Sequence, residues 1–135
     1  MAGSFVPSSA VSVDTLDWGG LGWVVNPTTA PGSDLTVLDV TIQPGQGHDF
    51  HRHPRQEEVI HVLSGAIEQW IEERHERLGP GDSVHVPTDT VHASFVADDA
   101  DEPAHLLVVL TPSVTDVGYE AVDVADEAPW NDLRS

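Results

Sequence analysis

The chain of 135 residues contains no cysteine. Disulfides, thiolate metal ligands and thiol nucleophiles are therefore all excluded. Lysine is also absent, and five arginines against 23 acidic residues leave a formal charge of -18. A field of that sign repels nucleic-acid phosphates and anionic membrane surfaces, so neither is an expected partner. No segment approaches the roughly 20 apolar residues of a membrane-spanning helix. The opening Met1-Ala2-Gly3-Ser4-Phe5 has neither the basic region nor the apolar run of a signal peptide. The expectation is a soluble, cytoplasmic protein. Repeats, heptads, long amphipathic helices and a nucleophile-elbow serine are all missing. Asp98-Asp99-Ala100-Asp101-Glu102 reads as a solvated acidic loop tip.

What is present is a series of short strands punctuated by Gly and Pro. A loose arm is expected to about Ala10, and a short first strand at Trp23 to Val25, closed by Asn26-Pro27. Leu35 to Ile42 is rich in β-branched residues, with Thr36, Leu38, Val40 and Ile42 on one face. Glu58 to Leu63 and Gly65 to Glu72 alternate, the latter placing Ile67, Gln69 and Ile71 together. Glu73-Arg74-His75-Glu76 reads as a hairpin tip. Ser83 to Val86, Ala93 to Val96 and the near-continuous apolar run His105 to Leu110 supply three more strands. The tail, with Tyr119, Val122, Val124 and Pro129-Trp130, is apolar enough to dock on the exterior. One domain is expected: an arm and first strand over 1–34, a barrel over 35–112, and a packed tail over 113–135. Short strands at this spacing argue an all-β sandwich or barrel.

Chemistry is concentrated between Gly45 and His92. In an extended segment, His51 and His53 share one face and can grip one metal ion. If the returning strand starts its inner face with Glu58, a carboxylate joins them, and His92 is placed to supply a fourth ligand. Three imidazoles and a carboxylate suit one divalent transition metal: Fe, Mn, Ni, Cu or Zn. Gln69, an amide on an otherwise apolar inner face, requires a partner, either a bond behind the ligands, a substrate contact or local backbone. Arg52 and Arg55 flank the site and are expected to pair with acids. His61 is expected to point outward, and His75 to be solvated. His48, at odd spacing from His51, is expected at the barrel mouth, the face of His85 is open, and His105 has no assigned role.

These residues resemble the cupins. Their first motif is matched by Gly45, His51, His53, Glu58 and Gly65 at the family's spacing. Their second is matched by Gly81, Pro87 and His92, with Asp89 in place of a glycine and Val96 in place of an asparagine. The resemblance implies an all-β cupin jelly-roll barrel in a single domain. It also implies a metal-dependent enzyme acting on a small organic substrate, with dioxygenase chemistry favoured. The alternatives are a non-redox isomerase, lyase or cyclase, and a module that binds or senses a small ligand without turnover. An outward apolar set, Val59, His61 and Leu63, agrees with the family's common homodimers.

Overall fold

A computed structural model describes residues 3–134. Eleven strands follow one another along the chain: β1 (Ser12–Leu16), β2 (Gly19–Val25), β3 (Thr36–Ile42), β4 (Gly47–Arg52), β5 (Glu57–Ser64), β6 (Ile67–Ile71), β7 (Arg74–Leu78), β8 (Ser83–Val86), β9 (His92–Val96), β10 (Ala104–Thr111) and β11 (Val122–Asp123). They form a six-stranded sheet in the order β1-β2-β3-β10-β5-β8 and a five-stranded sheet in the order β11-β4-β9-β6-β7. Every pairing is antiparallel. The two sheets face each other as a jelly-roll barrel, as expected.

Period-two alternation fills the space between them. On β3, Thr36, Leu38, Val40 and Ile42 are buried while Asp39 is exposed. On β5, Glu58, Ile60 and Val62 point inward. On β10, Ala104, Leu106, Val108 and Leu110 are buried while the other four residues are half-buried. These residues join Leu21, Ile67 and Val96 in one apolar core. Each fully buried Leu, Ile or Val contributes about 1.5–3 kcal/mol. A second cluster, Phe50, Trp70, Ala93, Phe95 and Val124, lies on the outer face of the five-stranded sheet. Val122, Trp130 and Leu133 of the tail pack against it, so most of the tail docks outside the barrel.

The strands depart from expectation at two edges. The first strand begins at Gly19 rather than Trp23, and Ser12–Leu16 ahead of it is a further strand. All five β1 residues are exposed, so no alternation marks it in the sequence. Backbone pairing with β2 and the bond from Trp23 Nε1 to the Asp14 carboxylate at 3.1 Å hold it in place. The second correction concerns Glu73 to Glu76. The turn is Glu72-Glu73, with Glu72 at φ 52°, and Arg74–Leu78 is the edge strand β7. An edge strand with both faces wet has no reason to alternate.

Gly47 shows how closely β4 and β9 approach. A Cβ there would collide with the Phe95 ring and lie 2.8 Å from the Ser94 carbonyl oxygen. Gly47→Ala is expected to destabilise the fold by about 2 kcal/mol or more, since overpacking costs about 1–3 kcal/mol. Urea unfolding measures this, and an unchanged midpoint would show that β4 can shift freely.

Candidate metal centre

The site begins at an irregularity in β4. His48 lies opposite Ser94 and His51 opposite His92, so three steps on β4 match two on β9. The extra residue is a β-bulge, and it turns two histidines three apart towards the interior. Their rings stack with centroids 3.7 Å apart, and Trp18 stacks on His48 at 4.7 Å. Phe50, inside the bulge, points the other way into the outer cluster.

The barrel brings all four expected ligand residues together. His51 is the penultimate residue of β4 with His53 just beyond the strand, His92 opens β9 opposite His51, and Glu58 comes from β5 in the other sheet. All four are buried. One ligand nitrogen from each of His51, His53 and His92 lies within 4.8 Å of the others, a group that could hold a metal ion. Glu58 Oε1 is 2.6 Å from His92 Nε2 and 3.6 Å from His53 Nε2.

The backbone fixes the imidazole tautomers. His51 Nδ1 lies 2.6 Å from the Asp49 carbonyl oxygen, His53 Nδ1 2.8 Å from that of Glu120, and His92 Nδ1 2.9 Å from that of Thr90. A carbonyl only accepts, so each Nδ1 carries a proton and donates it. Nε2 of each ring is left to face the centre, an arrangement found at metal-bound histidines. His53 Nε2, His92 Nε2 and Glu58 Oε1 are buried with no hydrogen-bond partner. The 2.6 Å approach of Glu58 to His92 is close but not aligned as a hydrogen bond. These atoms lie together without a protein partner, and the residues fit a metal ion.

Electrostatics agrees with that geometry. Burial pushes the His51 imidazole well below its ordinary pKa, helped by the neighbouring His48, His92 and His53. Burial also lowers His53, with Glu58 opposing. His92 is subject to the same burial, but the Glu58 carboxylate beside it holds it above the usual value. Glu58 stays low despite its burial, because His92 is next to it. Burial takes His48 down to about 4.

These directions give a pH dependence for the metal-free protein. An imidazole depressed in the folded state takes up a proton on unfolding, so its contribution is present above 6.5 and lost as pH falls. His48, His51 and His53 act in this sense, and His92 acts in the opposite one. With three against one, thermal stability in chelator should decline between pH 7 and about 5.5, above the range where most carboxylates titrate. A flat or rising melting temperature across that window would contradict the assignment.

The second motif's departures are accommodated. Asp89 adopts the left-handed turn at φ 61° and accepts a bond from Arg52 at 2.8 Å. Its N–H donates to the His53 carbonyl, linking the two ligand segments. Arg55 pairs with Glu120 through two bonds of 3.1 Å. His61 bonds Ser83, and His85 faces outward onto Glu57. His75 pairs with Glu68 and stacks on Trp70, and His105 pairs with Asp39. Gln69 points inward as expected, but its partners are Ser94 and the Trp70 carbonyl rather than a ligand.

Two residues were missed from the sequence. Tyr119, expected on the exterior, lies edge-on to His53 at 5.0 Å and lines the central cavity. Burial raises its phenol above the usual range. Gln56, expected in a turn, is 1% exposed. Its amide donates to the Pro112 and Gly118 carbonyls at 2.8 and 3.0 Å and accepts from the Glu120 N–H at 3.1 Å. It thereby holds the segment that carries Tyr119 and the Glu120 carbonyl. A polar residue beside a Pro-Arg turn carries no sign of so distant a partner. The cavity has an apolar wall that includes Leu38, Val40, Leu106 and Val108, and a polar wall of His48, Ser94 and Tyr119 beside the ligand set.

A two-sheet β-barrel with an inward-facing three-histidine group defines the class. The Cupin domain family model matches residues 38–110, and the chain belongs to the cupins. Protein SchB of Streptomyces halstedii is 27% identical over 106 residues, covering 77% of this chain and 75% of SchB. Among solved structures, the Lactobacillus farciminis oxalate decarboxylase formate complex aligns with a TM-score of 0.75 at 20% identity, covering 87% of this chain and 35% of that one. The DMSP lyase DddQ of Ruegeria pomeroyi DSS-3 aligns with a TM-score of 0.68 at 24% identity, covering 93% and 62%. At these identities the structures support the fold alone. No helix among the described residues is long and apolar enough to cross a membrane.

Proposed function

We propose that this cupin is a mononuclear metal-dependent enzyme acting on a small, oxygen-bearing organic substrate, with His51, His53, His92 and Glu58 holding one divalent transition metal. The observation that carries the reading is the three-histidine group, in which His53 Nε2, His92 Nε2 and the adjoining Glu58 Oε1 are buried without a hydrogen-bond partner. A metal held there supplies Lewis-acid polarisation of a substrate oxygen or, if redox-active, oxygen chemistry. His48 is neutral at pH 7, borders the cavity, and its side chain has no hydrogen-bond partner among the described residues, so a ring nitrogen is left to accept a hydrogen bond from the substrate and, against the cost of burial, its proton. Tyr119 stays protonated and offers an O–H donor. The apolar wall limits water. Two proton-handling groups beside the ligand set favour a non-redox, lyase- or isomerase-type reaction, and two fold neighbours are named as a decarboxylase and a lyase.

The test is a screen of small hydroxy- and keto-acids against Mn-, Fe-, Co-, Ni- and Zn-loaded protein, under argon and under air. The reading expects turnover under argon. His48→Asn should then lower kcat by roughly 100-fold, the usual scale of general acid–base catalysis, with metal content unchanged. Oxygen consumed in step with product would establish the dioxygenase chemistry expected from the sequence. Tight binding without turnover would make the protein a binding module.

A homodimer belongs to the same proposal. Val59 and Leu63, 41% and 45% exposed, remain on the outer face of β5, and a second copy would cover them. Light scattering that finds only 14.5 kDa particles at micromolar concentration would refute it.

A further inference from the structure

Strand register sets a row of polar side chains across the inner face of the five-stranded sheet. His48 lies opposite Ser94, Ser94 opposite Gln69, and Gln69 opposite Glu76. The row runs beside the ligand row of His51 and His92, which are themselves cross-strand neighbours. Ser94 and Gln69 are both buried, 5% and 3% exposed.

The hydrogen bonds along this row have only one consistent direction. Gln69 Nε2 lies 3.0 Å from the Trp70 carbonyl oxygen, which can only accept. The amide nitrogen must therefore face it, because the flipped amide would set two acceptors against each other. The amide oxygen then faces Ser94 Oγ at 2.6 Å and also can only accept. Ser94's single proton is committed to Gln69. Ser94 lines the cavity beside His48 and the ligands, and no donor reaches its Oγ among the described residues. The lone pairs of that oxygen are what it offers to the cavity.

We infer that Gln69 locks Ser94 as a hydrogen-bond acceptor in the ligand cavity, so that the substrate group meeting Ser94 is an O–H or N–H donor. The cavity then favours hydroxylated or amino-bearing small acids over O-alkylated analogues. Ser94 touches the ligand, and Gln69 is a positioning residue acting through it. This rests on the metal-centre reading, since the metal anchors the ligand that Ser94 reads. A purely structural role for the pair would alter stability in variants without altering discrimination between two ligands.

The experiment titrates Co(II)-loaded protein with glycolate and with methoxyacetate, following the visible absorption of the cobalt. Wild type, Gln69→Leu and Ser94→Ala are compared. The metal itself prefers one of these ligands to some degree in every variant, so the change in preference is the readout. The preference for glycolate should fall about tenfold in each variant, with cobalt stoichiometry unchanged. In Gln69→Leu the released hydroxyl can donate to the methoxy oxygen, so methoxyacetate should bind more tightly than to wild type. If Gln69→Leu does not fold, Ser94→Ala carries the comparison alone. Equal preference in wild type and variants, or failure of both probes to bind the cobalt protein, would overturn this inference. Failure of wild type to bind cobalt would instead overturn the metal-centre reading.

Discussion

Replacing His51 or His53 with alanine should lower affinity for Zn(II) or Co(II) by more than about 100-fold, beyond the 10–100-fold cost of losing a residue that merely supports a ligand. Each imidazole is oriented by a backbone carbonyl, and each Nε2 faces the centre with no protein neighbour able to replace it at the same position. Water is a poor substitute, because the site is enclosed and the ligands come from three different strand ends. The metal-free fold should survive, since neither imidazole belongs to the apolar clusters that hold the two sheets. The clearest readout is metal-linked stability. A ligand at 100 times its Kd stabilises the folded state by about 2.7 kcal/mol, so the thermal shift seen with saturating metal in wild type should vanish in the variants. A shift of undiminished size in the double variant would remove these histidines from the site.

Replacing Gln56 with leucine should destabilise the protein by about 3–5 kcal/mol, although leucine is of similar size and suits a buried position. The loss lies in what the amide leaves behind. The Pro112 carbonyl loses its donor and the Glu120 N–H its acceptor, while the Gly118 carbonyl keeps only the Thr36 hydroxyl. Unpaired buried groups cost about 1–3 kcal/mol each. The same segment presents the Glu120 carbonyl to His53, so metal affinity should also fall, by roughly tenfold. Arg55→Ala provides the contrast. It removes the exposed Arg55–Glu120 pair on the same segment and should cost under about 1 kcal/mol. Urea unfolding of the two variants separates them, and equal effects would show that Gln56 is not what holds the segment.

The clustering of His51, His53 and Glu58 was legible because their spacing is local, within eight residues from the end of β4 to the start of β5, and His92 was legible through the second motif. The inner faces of β3, β5 and β6 were legible for a related reason, since each has one dry face and one wetter face. What escaped the sequence depends on pairing between distant segments. His48 reaches the cavity through a bulge, which adds a residue without a residue type to announce it. Tyr119 reaches the cavity because Gln56, more than sixty residues earlier, holds its segment there. β1 and β7 are edge strands, set by backbone bonding rather than by an apolar pattern. The direction of the Gln69–Ser94 bond required knowing that the Trp70 carbonyl is the amide's other partner.

The most direct test of the account is elemental analysis of protein purified without chelators, followed by EDTA stripping and reloading. The account predicts one divalent transition-metal ion per chain, lost with EDTA and regained with one equivalent, with melting temperature falling and recovering in step. Protein that purifies without Mn, Fe, Co, Ni, Cu or Zn, and whose melting temperature none of them raises, would contradict it.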